Sequence, residues 1–236
     1  MYSHTRSALR IKKAQRKTNM KRIFIDCGTN LGQGFESFKQ KYEFDDTWDI
    51  YLFEPNPHLR DWIAANILNK NKNLRIYFFN GAVTGAKNSD EKEFYLHADD
   101  RVEVLGIKND SPIGGGSTLM LPDQFKDGEM KDYEKCIVET LQLSKLLIDI
   151  IKPYSEMVSE KHVTIDCSKC YVVVKLDVEG EEYNIIEDLL VTGAAWGISD
   201  LHVEFHGRRF KEDKRADEVR LIGELFQCGV TCYPHH

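Results

Sequence analysis

Hydrophobic positions along the chain follow two alternating patterns. Short, almost continuous apolar runs predict β-strands, and longer segments that repeat apolar residues every three or four positions predict helices between them. The runs with the strand pattern are Ile23–Cys27, Ile50–Glu54, Arg75–Asn80, Tyr171–Asp177 and Leu201–His206. The segments with the helix pattern lie near Gly34–Tyr42, Pro57–Asn69, Ser144–Ile151, Glu181–Leu190 and Asp213–Gln227. This alternation is typical of an α/β fold, with a mostly parallel central sheet and helices on both faces.

One long interruption separates the third and fourth predicted strands. Residues 84–141 contain two further strand-like segments, Lys92–His97 and Lys135–Thr140, around the stretch NDSPIGGGSTLMLP. Its glycines and prolines indicate a loop rather than a regular element. We expect residues 84–141 to form an insertion over the ligand edge of the sheet, and residues 152–169 to form a second irregular segment.

Charge is distributed unevenly over the 236 residues. Residues 1–22 carry eight Lys or Arg and no Asp or Glu, whereas the remainder has 24 basic and 38 acidic residues, a net charge of −14. This predicts a basic extension over residues 1–21 and one domain over residues 22–236, long enough to bury a core. The acidic domain disfavours nucleic acid as a partner. The extension is predicted to be solvated, with contact to a polyanion or coverage of a binding site as alternatives.

Signals for membrane insertion or secretion are not found in the sequence. No apolar stretch reaches the roughly 18–20 residues that span a bilayer, and the N-terminus lacks the apolar segment of a secretory signal. We therefore expect a soluble protein, cytoplasmic or otherwise intracellular, whose six cysteines are reduced thiols. The spacing of the pairs Cys167/Cys170 and Cys228/Cys232 leaves a zinc site as the alternative.

The segment IFIDCGTNLGQG carries a specific chemical signal. A strand ends at Asp26 and continues into Gly28, Asn30 and Gly32 before a predicted helix. Glycines at such a strand end allow the backbone to turn sharply and to lie against a ligand. The step from Gly28 to Gly32 differs from the G-x-G spacing of the dinucleotide-binding signature.

A second acidic group follows at the end of the next predicted strand, where Glu54 stands in the segment YLFEPNP. A carboxylate at this position can accept hydrogen bonds from both hydroxyls of a ribose. Asp26 and Glu54 are therefore expected to lie beside the glycine turn. Taken singly, Asp26 can be a turn cap and Glu54 a surface carboxylate.

Four segments occur in the order DCGTNLG, FEPNP, the run Val174–Glu182 that includes KLDVEGEE, and HVEFH at His202–His206. In these segments, and over Arg22 to Tyr233, the chain resembles the FkbM-type family of class I S-adenosylmethionine-dependent methyltransferases. The resemblance implies a Rossmann-like methyltransferase domain over residues 22–236, S-adenosylmethionine as cofactor, and O-methylation, often of a sugar. The implied cofactor-binding positions are Asp26, Gly28, Asn30 and Gly32 for the methionine part, Glu54 for the ribose, and Gly81, Ala82 and Val83 for the adenine.

Methyl transfer to an alcohol requires that the hydroxyl lose its proton to a general base or with help from a bound cation. Alternation places Lys175 and Asp177 on one face of their strand, and Glu204 and His206 on one face of theirs. Parallel strands end at the same edge of a sheet, so these four residues are predicted to converge as the catalytic group. His206 is the preferred base, since a near-neutral histidine can accept a proton.

The same edge can instead hold a divalent cation, because carboxylate oxygens and an imidazole suit Mg²⁺ or Mn²⁺. The candidate ligands are Asp177, Glu179, Glu204 and His206. The alternative is that these acidic groups neutralise neighbouring cations, among them Arg208 and Arg209. The two arginines can also bind an anionic acceptor, such as a phosphorylated or uronic sugar, or remain solvated.

The leading hypothesis is an S-adenosylmethionine-dependent O-methyltransferase that methylates a sugar hydroxyl of a glycan or glycoconjugate. A ribose methyltransferase for RNA is a second hypothesis, prompted by the basic extension and the set Lys175, Asp177 and Glu204. The acidic domain and the lack of a second strand-end lysine weaken it. A third hypothesis is an interaction module that binds the cofactor without catalysis.

Overall fold

The computed structural model describes residues 20–85, 91–97, 117–127, 133–154, 156–159, 162–164 and 169–235. The strands are β1 (Lys21–Cys27), β2 (Trp48–Phe53), β3 (Arg75–Phe79), β4 (Ala82–Thr84), β5 (Glu91–His97), β6 (Tyr133–Gln142), β7 (Glu156–Ser159), β8 (His162–Thr164), β9 (Cys170–Leu176), β10 (Asp200–Glu204) and β11 (Thr231–His235). The α-helices are α1 (Gln33–Tyr42), α2 (Arg60–Ile63), α3 (Leu143–Ile151), α4 (Glu182–Val191) and α5 (Arg215–Gln227). Helix α2 lies between a 3₁₀ turn at Pro57–Leu59 and a π-helical turn at Ala64–Leu68.

Six parallel strands form the central sheet in the order β11-β10-β9-β1-β2-β3. Strands β1 and β9 lie in the middle, with Asp26 opposite Lys175 in the register. All six strands run in the same direction, so the carboxyl ends of β1, β2, β9 and β10 meet at one edge. This arrangement confirms the predicted Rossmann-like α/β fold.

Two apolar layers cover the sheet, because alternate strand residues point to opposite faces. On one face, residues such as Ile25 and Val174 pack against helices α3, α4 and α5. On the other face, Phe24 and Val173 pack against α1 and the helical segment from Pro57 to Leu68. Helices on both faces account for the almost continuous apolar run of β9, which is buried from both sides.

The insertion forms a small sheet of its own, in the order β4-β6-β5. Strands β5 and β6 are antiparallel and match the two strand-like segments predicted between residues 84 and 141. An isolated bridge joins Tyr95 to Thr118, and a second joins Phe125 to Phe210. The second bridge ties the insertion to the loop that follows β10, at the carboxyl edge of the central sheet.

The predicted strands and helices are present, with ends shifted by a few residues. Strands β4, β7, β8 and β11 are not among the predicted elements. Strands β7 and β8 pair antiparallel within residues 152–169, so the expectation of an irregular segment there is wrong in part, and β11 extends the central sheet beyond β10. Residues 1–19 of the predicted basic extension lie outside the described part of the chain. Cys170, Cys228 and Cys232 are free thiols, whereas Cys167 lies outside the described residues. Among the described residues, no helix combines the length and apolarity needed to cross a membrane.

Candidate active site

A cavity of about 720 Å³ lies at the carboxyl edge of the central sheet. Its floor comes from residues that follow β1, β2, β9 and β10, and its far wall includes Ser117, Leu119 and Lys126 of the insertion. The volume falls within the about 300–1,000 Å³ typical of sites for small molecules. The insertion therefore lies where the sequence predicts it, over the ligand edge of the sheet.

The turn after β1 brings backbone, rather than side chain, to the cavity. Gly28 has a φ of 86°, and a Cβ atom on it would lie 1.9 Å from the carbonyl oxygen of Asp177. Asn30 has a φ of 48°, in the left-handed region that asparagine tolerates. The amides of Gly28 and Thr29 both donate to the carbonyl oxygen of Phe53 at 3.0 Å, which ties the turn to β2. Gly28 and Asn30 line the cavity.

Glu54 joins this turn to the loop after β2. Its Oε2 accepts a hydrogen bond from the amide of Asn30 at 2.7 Å, and its Oε1 accepts one from the amide of Asn56 at 2.9 Å. Glu54 lines the cavity, as do Gly81, Ala82 and Val83 beside it.

Asp26 and Lys175 lie behind the turn and do not line the cavity. Lys175 Nζ donates to the carbonyl oxygen of Gly28 at 2.9 Å, and it lies 3.2 Å from Asp26 Oδ1 and 3.3 Å from Asp177 Oδ2. Burial raises the pKa of Asp26, although Lys175 acts in the opposite direction. Burial alone would lower the pKa of Lys175, but the two carboxylates outweigh it and raise that pKa above its ordinary value. Lys175 thus links the first turn to Asp177. This placement does not bring Lys175 into contact with the reacting atoms.

Gly32 also lies away from the cavity surface, where a Cβ atom would come within 2.5 Å of Ile67 Cδ1. Its role in this structure is to let α1 begin close to the segment after α2.

His206 stands at the centre of the acidic edge. Its Nδ1 lies 2.7 Å from Glu182 Oε1, and Glu182 also accepts hydrogen bonds from the amides of Val178 at 3.1 Å and Gly180 at 2.8 Å. The fully buried Glu182 therefore holds both the imidazole and the turn after β9. The other ring nitrogen, Nε2, is directed toward the acidic groups that line the cavity.

Three carboxylates surround His206 Nε2. It lies 3.2 Å from Glu179 Oε2 and 3.8 Å from oxygens of both Asp177 and Glu204. The structure thus brings together three of the predicted catalytic residues, His206, Asp177 and Glu204. The predicted convergence of the two strand ends is present in the structure.

The pKa values of His206 and Glu179 decide which of the two can take up a proton. Burial by itself would lower the pKa of His206, but the hydrogen bond and charge of Glu182, with the charges of Glu179 and Asp177, outweigh burial and raise the pKa to about 9. A pKa of about 9 favours the imidazolium form at neutral pH, whereas the sequence predicts a near-neutral histidine that acts as the base. Burial raises the pKa of Glu179 to about 7, although His206 and Arg209 act to lower it.

The turn that carries Glu179 is held in an uncommon conformation. Glu179 has a φ of 56°, and a non-glycine residue in this region requires support from its surroundings. Thr118 Oγ1 donates to the carbonyl oxygen of Glu179 at 2.7 Å, and the Arg209 guanidinium forms an ion pair with its carboxylate. The insertion and the loop after β10 thus fix the orientation of Glu179 together.

The donor set is chemically suited to a divalent cation. Ligand atoms of Asp177, Glu179 and His206 lie within 4.8 Å of one another, and Glu204 adjoins them. Oxygen donors with one imidazole fit Mg²⁺ or Mn²⁺. A cation at this place would require His206 to lose its Nε2 proton, because only the neutral ring is a ligand.

The sequence patterns do not predict a role for two residues at this edge, Glu182 and Lys126. Glu182 belongs to the KLDVEGEE run, and its position four residues after Val178 is a signal that it can accept from the amides of the turn. Lys126 gives no such signal, because it reaches the cavity only through the pairing of Phe125 with Phe210.

Comparison with known proteins supplies one match. The Methyltransferase FkbM domain family matches residues 26–229, which is most of the chain. Searches of curated proteins and of solved structures returned no significant match. The matched range includes both the turn after β1 and the acidic edge around His206.

Proposed function

The chain belongs to the FkbM methyltransferase family, and we propose that it is an S-adenosylmethionine-dependent O-methyltransferase acting on a sugar hydroxyl of a glycan or glycoconjugate. The observation that carries the proposal is one cavity lined by two groups of residues, which we assign to its two ends. Glu54 and the turn after β1 form one end, and the carboxylates around His206 form the other. A methyl donor and a hydroxyl acceptor require such adjacent sites.

The first end suits the cofactor. S-adenosylmethionine supplies, when bound, an electrophilic methyl group on a positively charged sulfonium. Gly28 and Asn30 would border its methionine part, Glu54 would accept hydrogen bonds from the ribose hydroxyls, and Ala82 would contact the adenine. In this assignment Asp26 and Gly32 support the turn from behind, because neither reaches the cavity. The carboxylate of Glu54 in this part of the lining also favours a cationic ligand.

The second end suits a sugar hydroxyl. Asp177 and Glu204 line the cavity and can accept hydrogen bonds from neighbouring hydroxyl groups of one sugar ring. The reacting hydroxyl would pass its proton to the coupled pair of Glu179 and His206. Within this pair, Glu179 is the better acceptor near neutral pH, since its pKa is about 7 and that of His206 is about 9. Lys175 contributes by holding Asp177 in place.

Cation assistance is the second candidate for the proton step, and the closeness of the Asp177, Glu179 and His206 ligand atoms favours it. A bound Mg²⁺ or Mn²⁺ would supply Lewis acidity that lowers the pKa of an acceptor hydroxyl. Arg209 would then have to release Glu179, with which it forms an ion pair.

Acceptor profiling tests the proposed function. The full chain is incubated with methyl-labelled S-adenosylmethionine and a panel of neutral, uronic and phosphorylated oligosaccharides, with structured RNA as a separate arm. We expect label on a hydroxyl of an oligosaccharide. Label on the ribose of RNA would show that RNA, and not a glycan, is the acceptor. Cofactor binding without transfer to any acceptor would identify an inactive interaction module.

A further inference from the structure

Two exposed cations line the cavity beside the acidic edge. Arg208 belongs to the 3₁₀ turn Gly207–Arg209 after β10, and Lys126 belongs to the insertion. Their side chains come from segments that are 82 residues apart in the chain, yet Lys126 Nζ donates to the carbonyl oxygen of Arg208 at 2.6 Å. The two cations therefore form one rim of the cavity.

The backbone at this rim is fixed by contacts on both sides. The amide of Lys126 donates to the carbonyl oxygen of Arg209 at 2.8 Å, and the amide of Lys211 donates to that of Gln124 at 3.0 Å. Between these bonds, the rings of Phe125 and Phe210 stack with centroids 5.0 Å apart. These contacts fix the backbone from which the side chains of Arg208 and Lys126 extend at the cavity.

The other cations of the site already have acidic partners. Lys175 is paired with Asp26 and Asp177, and Arg209 is paired with Glu179. Within the described part of the chain, no carboxylate lies within ion-pair distance of Arg208 or Lys126, although Asp213 outside the cavity interacts electrostatically with Lys126. An ammonium group has three N–H donors, of which the Arg208 carbonyl takes one, and a guanidinium offers five.

We propose that the acceptor carries an anionic group, a phosphate or a carboxylate, which Arg208 and Lys126 bind while the neighbouring hydroxyl lies among the carboxylates around His206. This inference rests on the proposed function and adds the class of acceptor to it. A guanidinium binds phosphate or carboxylate oxygens through two parallel hydrogen bonds, and an ammonium adds a point charge. A neutral sugar would leave these charged donors without an anionic partner in the ligand.

Binding of three small probes tests the inference. Glucose 1-phosphate, glucuronate and glucose are titrated by calorimetry into the full chain saturated with S-adenosylhomocysteine. We expect at least one of the two anions to bind about ten- to hundredfold more tightly than glucose, the range for charge-assisted hydrogen bonds. The stronger of the two anions identifies phosphate or carboxylate as the recognised group.

Matched variants locate the binding. Arg208→Gln and Lys126→Gln should each weaken binding of the preferred anion by about tenfold or more, with no change in the affinity for S-adenosylhomocysteine. Lys211→Gln removes an exposed positive charge that lies outside the cavity, and it should leave anion binding unchanged. The inference is overturned if both anions bind no better than glucose, or if the three variants behave alike. Failure of S-adenosylhomocysteine to bind would instead refute the proposed function.

Discussion

The imidazolium of His206 predicts a specific dependence of stability on pH. The side chain is only 5% exposed, so solvent screens its interactions with Glu182, Glu179 and Asp177 weakly. Its pKa is raised from 6.5 to about 9, which corresponds to about 3 kcal/mol of folding free energy. Because the folded-state pKa is the higher one, this stabilisation is fully present below pH 6.5 and is lost as the pH rises through 9.

The perturbation is His206→Gln, which keeps a hydrogen-bond donor and removes the titrating charge. Free energies of unfolding are measured by urea denaturation between about pH 6 and about pH 10, with a chelator present. The stability difference between wild type and the variant should be larger at the acidic end than at the basic end by about 3 kcal/mol, and it should shrink steadily as the pH rises. His58→Gln makes the same change at an exposed histidine and serves as the control.

A constant difference between wild type and His206→Gln, within about 1 kcal/mol across the whole range, would refute the assignment of an imidazolium. The same conclusion would follow if His58→Gln reproduced the pH dependence. Either result would return His206 to the near-neutral histidine that the sequence suggests.

Three further predictions concern the residues around His206. Lys175→Met should lower the free energy of unfolding by about 3–5 kcal/mol in urea denaturation, because it leaves Asp26 and Asp177 without their buried cation. Adding Asp26→Asn should recover part of that loss, and no recovery would contradict the ion-pair explanation. Glu179→Gln should lower the maximal methylation rate by about two to four orders of magnitude, and it should abolish the fall in rate that wild type shows below about pH 7. A variant that keeps this fall in rate would exclude Glu179 as the proton acceptor. The methylation rate should survive exhaustive chelation, since His206 and Arg209 already neutralise Glu179. A loss of rate that added Mg²⁺ restores in wild type, but not in Asp177→Asn, would instead show that these residues bind a cation.

The central sheet is predictable from sequence because its inner strands are buried on both faces and read as apolar runs. Strand β11 lacks this signature. It lies at the edge of the sheet, and Pro234, which has no amide hydrogen to donate, stands within it opposite Val203. Proline is tolerated at an edge strand but argues against a strand in a sequence pattern, so the sixth strand becomes visible only in the structure.

In the candidate site, the residues at strand ends are predictable from sequence, whereas the contacts between distant segments are not. Asp177, Glu204 and His206 lie at or just after strand ends, and the rule that parallel strands end together predicts their convergence. The charge on His206 depends on Glu182, the first residue of α4, whose side chain reaches the imidazole across the turn after β9. Contacts of this kind join segments that no local pattern connects, which also explains why the sequence does not predict Lys126 beside Arg208.

The most direct test of the central claim is calorimetric titration of S-adenosylhomocysteine into wild type, Glu54→Gln and Glu91→Gln. Glu54 lines the cavity and is held by the amides of Asn30 and Asn56, whereas Glu91 is exposed at the start of β5. We predict binding to wild type, unchanged affinity in Glu91→Gln, and a loss of about ten- to hundredfold in Glu54→Gln with a cooperative unfolding transition retained. No binding to wild type, or equal affinities in all three proteins, would contradict the placement of the cofactor at this edge of the sheet.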